Sequence, residues 1–299
     1  MPDLPWRFIA ILLANGVLVG SMYALVALGF VLIYKATDAI NFAQGEFVMF
    51  AGFLAAGAIH LAGFPWWASA LVSVAGMVAF AFGLERVVLR PLLGRPIIAV
   101  VMATIGLAAV LRGTATLAFG GGTQTIPLPI SNAPFMLGPL ILPRIELIGA
   151  GVSLAFLAAF GWFFLKSRVG VAMRAVADNQ QVAMAMGINV QRYFALAWAM
   201  AGVVSALGGV LWGSMLGVDN QLALVGLKVF PVMILGGLDS IIGAVVGGLI
   251  VGVVESMSAG FLDPLVGGGT KDFVPYLLMI AVLMVRPEGM FGRRRIERV

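Results

Sequence analysis

Two amides and a carboxylate interrupt an otherwise apolar part of the chain, in the stretch INFAQGEF at residues 40–47. Such groups can bind a polar solute, or they can satisfy the free backbone N–H groups at the start of a helix. Asn41 stands three residues before Gln44, and both precede an apolar run, which predicts a helix N-cap with a reciprocal hydrogen bond. Glu46 then lies near the positive end of that helix, where a carboxylate is stabilised. The spacing therefore predicts a helix start and, as an alternative, a place where a passing solute is contacted.

A second candidate lies at residues 166–192, with the sequence KSRVGVAMRAVADNQQVAMAMGINVQR. Asp178 followed by Gln181 has the spacing of a capping box, and Gly187 is placed to end a helix in the left-handed conformation. The pattern predicts a helix of about eight residues, roughly 12 Å long. A helix this short is marginal in water, so its apolar residues need cover, either from the protein itself or from a partner. Those residues are Val182, Ala183, Met184 and Met186.

Other kinds of chemistry are excluded by what the sequence lacks. There is no cysteine and one histidine, His60, so neither a thiol nucleophile nor a metal site built on thiolates is predicted. Neither the H-E-x-x-H nor the G-x-S-x-G motif occurs. The stretch GGGTKD at residues 267–272 lacks the G-x-x-x-x-G-K-[ST] spacing of a phosphate-binding loop. We therefore predict no catalytic residue, no metal, no bound cofactor and no nucleotide site in this chain.

Two charged residues lie inside apolar segments, where a charge is costly and is kept mainly for pairing or for function. Arg112 lies towards the end of its segment, so its side chain can extend to the interface or contact a solute. Glu255 also lies near a segment end and is expected to pair with a cation, for which Arg112 is a candidate. Most other charges lie between the segments or near their ends, which argues against a carrier driven by ions.

The elements that position these residues are membrane-spanning helices. The 299 residues are 62% hydrophobic and 10% charged, with a mean hydropathy of +1.08, whereas a soluble domain has about 25% charged residues. A bilayer core of about 30 Å requires roughly 20 apolar residues per helix. We therefore predict a polytopic all-α membrane protein with a single transmembrane domain over residues 1–299. Eight apolar segments are candidate spans: residues 8–34, 47–63, 66–84, 97–119, 145–165, 193–216, 241–257 and 273–285.

Basic residues cluster in two loops and the C-terminal tail, which predicts that these three regions are cytoplasmic. Three spans between two cytoplasmic regions break parity, so a short broken or re-entrant segment at residues 226–240, containing Pro231, is predicted to restore it. On this topology, the helix that follows INFAQGEF starts at the cytoplasmic edge, and the loop at residues 120–144 lies on the other face. The basic residues are Arg86, Arg90 and Arg95; Lys166, Arg168, Arg174 and Arg192; and Arg286, Arg293, Arg294, Arg295 and Arg298.

Three stretches together resemble the LivH-type permease subunit of branched-chain amino acid ABC transporters. They are INFAQGEF at residues 40–47, SRVGVAMRAVADNQQVAMAMGIN at 167–189 and LGGLDSIIGAVVGGLIVGVVES at 235–256. The resemblance implies a bacterial inner-membrane subunit that pairs with a second permease, binds two cytoplasmic ATPase subunits and receives its solute from a periplasmic binding protein. It also implies that the partner subunits hydrolyse ATP, while a branched-chain or other hydrophobic amino acid crosses between the two permeases.

The same resemblance identifies residues 166–192 as a cytoplasmic coupling-helix loop. In ABC permeases the coupling helix follows the pattern Glu-Ala-Ala, three residues, then Gly. Here Gln181 replaces the Glu and Val182 replaces the first Ala, while Ala183 and Gly187 are kept. The residues predicted to couple the permease to the ATPase are Asp178, Gln181, Ala183, Met184 and Gly187.

Asn41, Gln44 and Glu46 remain candidates for the transport pathway or its gate. The resemblance leaves urea, amides and other small solutes open as alternative substrates. An ion-coupled carrier that acts alone is a further alternative, and it would be distinguished by transport without ATP.

Overall fold

The computed structural model describes residues 4–92, 95–131, 133–138 and 140–292. Within these ranges the chain is mostly helical, with one short β-hairpin. The helices are α1 (Leu4–Thr37), α2 (Gln44–His60), α3 (Trp66–Leu84), α4 (Ile97–Phe119), α5 (Arg144–Lys166), α6 (Arg168–Asp178), α7 (Gln180–Ala185), α8 (Val190–Leu216), α9 (Leu224–Gly236), α10 (Ile241–Phe261), α11 (Asp263–Val266) and α12 (Thr270–Val285). The hairpin strands are β1 (Phe135–Leu137) and β2 (Leu140–Leu142). The predicted basic tail residues Arg293, Arg294, Arg295 and Arg298 lie outside the described residues.

Each of the eight apolar segments forms a helix, which confirms the all-α polytopic class. Six helices of the described chain are long and apolar enough to cross a membrane, namely α1, α3, α4, α5, α8 and α10. The helices α2 and α12 have 17 and 16 residues, which is about 24–26 Å at 1.5 Å per residue. Both fall short of a hydrocarbon core of about 30 Å. A count of eight spans is therefore not established by helix length.

The short segment predicted near residues 226–240 corresponds to α9, a helix of 13 residues with Pro231 inside it. A turn follows at Gly237, whose φ of 102° lies in the left-handed region that favours glycine. Ser240 then caps α10, because its side chain accepts a hydrogen bond of 3.0 Å from the N–H of Gly243. The helical path is thus interrupted directly after α9.

Residues 28–128 and 158–227 form one compact unit, in which α2, α3 and α8 pack against one another. The ring of Phe47 lies 5.5 Å from that of Phe80 and 6.0 Å from that of Trp198, within the range that favours aromatic pairs. Phe47 belongs to the first turn of α2. The aromatic core of this unit therefore fixes the beginning of α2.

The described parts of residues 1–27, 129–157 and 228–299 form a second compact unit. In it the first part of α1 lies against α10 through small residues. A Cβ atom added at Gly16 would lie 2.6 Å from the Cα of Val253, so the two backbones approach too closely for any side chain. The helix α12 also packs against α10.

A short connection leads from α11 into α12. Asp263 accepts hydrogen bonds from the hydroxyl of Thr270 and from its backbone N–H, the latter at 2.8 Å. These two bonds lower the pKa of the Asp263 carboxyl from its usual value. The contacts hold the first turn of α12, which carries Asp272.

Candidate functional site

The INFAQGEF stretch packs against α4 and α8 through polar contacts. The N–H of Phe42 donates to the hydroxyl of Thr104 at 3.2 Å, and the side chain of Gln44 donates to the hydroxyl of Ser205 at 3.0 Å. Ser205 comes fifteen residues after Val190, the first residue of α8, which is about 22 Å along that helix. The first turn of α2 therefore lies beside the middle of α8, and its place at the cytoplasmic edge of the membrane stays a prediction.

In the residues before α2, hydrogen bonds from a side chain take the place of helical backbone hydrogen bonds. The side-chain oxygen of Asn41 accepts from the N–H of Ala43 at 3.1 Å, and its amide donates to the side-chain oxygen of Gln44 at 3.4 Å. Ala43 itself occupies the N-cap position, with no side-chain cap. The predicted N-cap at Asn41 is wrong by two residues, because its side chain closes a local turn instead. Non-helical backbone at membrane depth is tolerated only when it is covered in this way or lines a cavity.

Glu46, which is buried, forms an ion pair with the partly exposed Arg112. Its carboxylate lies in the first turn of α2, as predicted, and its side chain is 3% exposed. The Nε of Arg112 donates to its Oε1 at 2.8 Å, and Nη2 donates to the same oxygen. Arg112 comes from α4, and its side chain is 52% exposed. Arg112 is therefore directed at a neighbouring helix, and the sequence could not indicate this partner because it lies 66 residues away.

Further polar contacts continue from Arg112 along one side of α4. Thr116, one turn later, accepts a hydrogen bond of 2.9 Å from the side chain of Asn220. The hydroxyl of Thr123 donates to the carboxylate of Asp219, also at 2.9 Å. Sequence reasoning missed this line, although the four-residue spacing of Arg112 and Thr116 was a signal for it. We call these residues the polar track: Glu46, Arg112, Thr116, Asn220, Asp219 and Thr123.

The second unit contains its own ion network, centred on Lys228. The ammonium group lies 3.0 Å from the carboxylate of Glu255 in α10 and 2.9 Å from that of Asp272 in α12. Glu255 is 12% exposed and Lys228 is 31% exposed. The predicted pairing of Glu255 with Arg112 is therefore wrong, because Glu255 pairs with Lys228 and Arg112 pairs with Glu46. Lys228 holds three helices together by charge.

The loop at residues 166–192 contains two helices where one was predicted. Ser167 caps α6 by accepting from the N–H of Gly170 at 2.9 Å, and α6 then extends to Asp178. Asn179 caps α7 by accepting from the N–H of Val182 at 3.0 Å. The predicted capping box of Asp178 and Gln181 is wrong by one residue. Asp and Asn are both favoured at the N-cap position, so the sequence alone could not show whether Asp178 or Asn179 caps the helix.

The end of α7 agrees with the prediction. Gly187 has a φ of 81°, its N–H donates to the carbonyl of Met184, and the N–H of Ile188 donates to that of Ala183. This is the Schellman pattern of a helix C-terminus. Ala183 is buried against the chain, whereas three apolar side chains of this region are exposed. These are Val182, Met184 and Met186.

Replacing Asn179 by alanine is expected to loosen α7. The loss of the cap should cost about 1 kcal/mol, or roughly a fivefold change in the local opening equilibrium. Hydrogen exchange at the amide of Val182 should accelerate accordingly. Asp178→Ala is the matched control and should leave that amide unchanged. Equal acceleration in both variants would contradict the assignment of Asn179 as the cap.

Comparison with known proteins gives consistent matches over most of the chain. Residues 12–283 match the family described as "Branched-chain amino acid transport system / permease component". The high-affinity branched-chain amino acid transport system permease protein LivH of Escherichia coli K12 is 32% identical over 300 residues, which cover 95% of this chain and 96% of that protein. The corresponding protein BraD of Pseudomonas aeruginosa is 33% identical over 307 residues, covering 96% and 97%.

A solved structure has a related fold. PsaBC from Streptococcus pneumoniae, in complex with Fab, matches with a TM-score of 0.52. The match covers 93% of this chain and 92% of that chain, at 14% sequence identity. At this identity the likeness concerns the fold alone.

Proposed function

The chain belongs to the family of permease components of branched-chain amino acid transport systems, and from this we propose that it is one transmembrane subunit of an ATP-driven importer. It forms the translocation pathway with a second, homologous permease in the bacterial inner membrane. A periplasmic binding protein delivers a branched-chain or other hydrophobic amino acid. Two cytoplasmic ATPase subunits hydrolyse ATP, and this chain binds no cofactor of its own. The observation that carries the proposal is the family match over residues 12–283.

The coupling of this permease to its ATPase subunits is assigned to α7. Ala183 packs into the protein, while Met184 is 56% exposed and presents an apolar side chain that a partner can cover. Gln180, the first residue of α7, donates to the backbone carbonyl of Ala36 at 3.3 Å. That carbonyl lies in the last turn of α1, directly before the break that leads to α2. A displacement of α7 by the ATPase can therefore reach the break through this contact.

The ends of α7 define the rest of the proposed docking segment. Asp178 and Gln181 are exposed beside the cap, and Gly187 ends the helix. Asn41, Gln44 and Glu46 are the proposed pathway or gate residues, because they line the break that α7 adjoins through α1. In this arrangement the basic loops, including residues 166–192, face the cytoplasm.

Replacing Met184 by arginine is expected to uncouple the transporter. The new charge would have to be buried at the ATPase interface without a partner, so leucine uptake and uptake-linked ATP hydrolysis should fall by at least about tenfold. The permease should still enter the membrane, because the Met184 side chain is exposed in the permease alone. Measurement uses the complex reconstituted in proteoliposomes, with [3H]leucine, ATP and the binding protein.

A matched control is Met136→Arg, which places the same charge on another exposed methionine, in β1. On the proposed topology β1 lies on the periplasmic face, so the ATPase subunits should co-purify with this variant as they do with the unaltered protein. Full uptake and full ATPase co-purification in Met184→Arg would refute the docking role of α7.

A further inference from the structure

Arg112 lies in the last third of α4 with much of its side chain uncovered. It comes fifteen residues after Ile97 and seven before Phe119, the two ends of α4, which is about 22 Å and 10 Å along the helix. A guanidinium inside a membrane-spanning helix is rarely left facing hydrocarbon, because charged groups in membranes face water-filled cavities or protein partners. Glu46 covers one edge, yet 52% of the Arg112 side chain remains exposed. The exposed part is therefore expected to face water, a partner subunit or a polar ligand.

The hydrogen bonds of Arg112 leave donors available. A guanidinium has five N–H donors arranged as a planar fork. Both bonds to Glu46 come from Nε and Nη2 and end on a single oxygen. Among the residues that the structure describes, no side chain accepts a hydrogen bond from Nη1 of Arg112. The open edge has the geometry that binds a carboxylate with two parallel hydrogen bonds.

Uncovered helix surface and further polar contacts lie near Arg112. A Cβ atom added at Gly113, the next residue of α4, would meet nothing within 4 Å, so the described protein leaves this part of the helix uncovered. The polar track leads from Arg112 through Thr116 and Asn220 towards Asp219 and Thr123, beyond the end of α4. It runs along a helix whose buried residues are otherwise few, namely Thr104, Leu111 and Ala115. The track is therefore a line of polar contacts beside a largely apolar helix.

We propose that Arg112 binds the carboxylate of the transported amino acid during translocation, and that Glu46 is a positioning residue that holds the guanidinium. The inference rests on the proposed function and names a substrate contact within it. A hydrophobic amino acid carries one carboxylate that apolar walls cannot satisfy, and Arg112 supplies the fork that matches it.

The test compares two variants that differ only at Arg112. Arg112→Gln alone is unsuitable, because it would leave the Glu46 carboxylate buried without a partner and so disturb folding. In Glu46→Gln and in the double variant Glu46→Gln/Arg112→Gln, that buried charge is absent. Each variant is reconstituted with its partner subunits, and [3H]leucine uptake is measured per ATP hydrolysed. The single variant keeps the cation and the double variant lacks it.

We expect the double variant to transport at least about tenfold less leucine per ATP than Glu46→Gln, as when a site loses the partner of a charged ligand group. Equal ratios in the two variants would overturn the proposal, since Arg112 would then serve only to neutralise Glu46.

If either variant fails to assemble, Arg112→Lys is measured instead. Lysine keeps the positive charge but lacks the planar donors that bind a carboxylate with two parallel hydrogen bonds. A several-fold lower ratio is expected there, and an unchanged ratio overturns the proposal. Absence of uptake of leucine and of other hydrophobic amino acids by the unaltered complex would instead refute the proposed function.

Discussion

Replacing Gly45 by leucine is expected to abolish the folded permease. Gly45 lies in the first turn of α2, where its backbone meets that of the segment leading into α9. A Cβ atom at this position would meet the carbonyl oxygen of Ala223 and would lie 3.1 Å from the Cα of Gly226. Backbone atoms cannot move aside as a flexible side chain can. The loss in the free energy of unfolding should therefore exceed that of ordinary overpacking, which is about 1–3 kcal/mol. The measurement is the yield of monodisperse protein after extraction in mild detergent.

The matched control is Gly106→Leu in α4. A Cβ atom at Gly106 would meet nothing within 4 Å, and a leucine inside a helix is favoured over glycine by up to about 1 kcal/mol. This variant should therefore be extracted in normal yield. If Gly45→Leu and Gly106→Leu gave equal yields, the close approach of the two backbones at Gly45 would be refuted.

Replacing Lys228 by methionine should cause the second large loss. The ammonium group lies within 3.0 Å of carboxylates on two helices, and Glu255 is almost covered. Removing one partner of a buried pair costs about 3–5 kcal/mol because the remaining charge is uncompensated. Lys228 is partly exposed, so the lower end of that range applies. The thermal midpoint of the detergent-solubilised protein should fall by several degrees.

A compensating change separates lost charge pairing from lost packing. Lys228→Met combined with Glu255→Gln removes the uncompensated carboxylate and should recover most of the midpoint. Recovery is expected to be incomplete because Asp272 also loses its partner, although its greater exposure reduces the penalty. A double variant no more stable than Lys228→Met would show that the methionine disturbs packing instead.

The helices could be predicted from the sequence because length and hydropathy are local properties of the chain. All eight apolar segments are helical, and Gly187 ends α7 in the left-handed conformation expected of it. Caps were less secure: Asn179 took the role predicted for Asp178, since adjacent residues of the same chemical kind compete for one position. At the start of α2, the side chain of Asn41 closes a turn before the helix.

Depth and pairing could not be predicted, since both depend on how distant segments pack. The INFAQGEF stretch has the spacing of a helix start, but its position beside Ser205 arises from the packing of α2 against α8. Glu46 and Arg112 are separated by 66 residues, and an apolar sequence offers several cations for each carboxylate. The predicted pair of Glu255 and Arg112 failed for that reason. Contacts with other subunits, such as the ATPase that would cover Met184, are still harder to predict from this sequence than contacts within the chain.

The separation of Glu46 and Arg112 has a consequence for biosynthesis. At about 5–20 residues per second, the ribosome adds the 66 residues between them in roughly 3–13 s. Throughout that interval the leading end of α2 has no counter-ion from α4, so its release into lipid would carry the full cost of a lone charge. We therefore expect the first four helices to leave the translocon together, so that Arg112 is present when Glu46 enters the lipid.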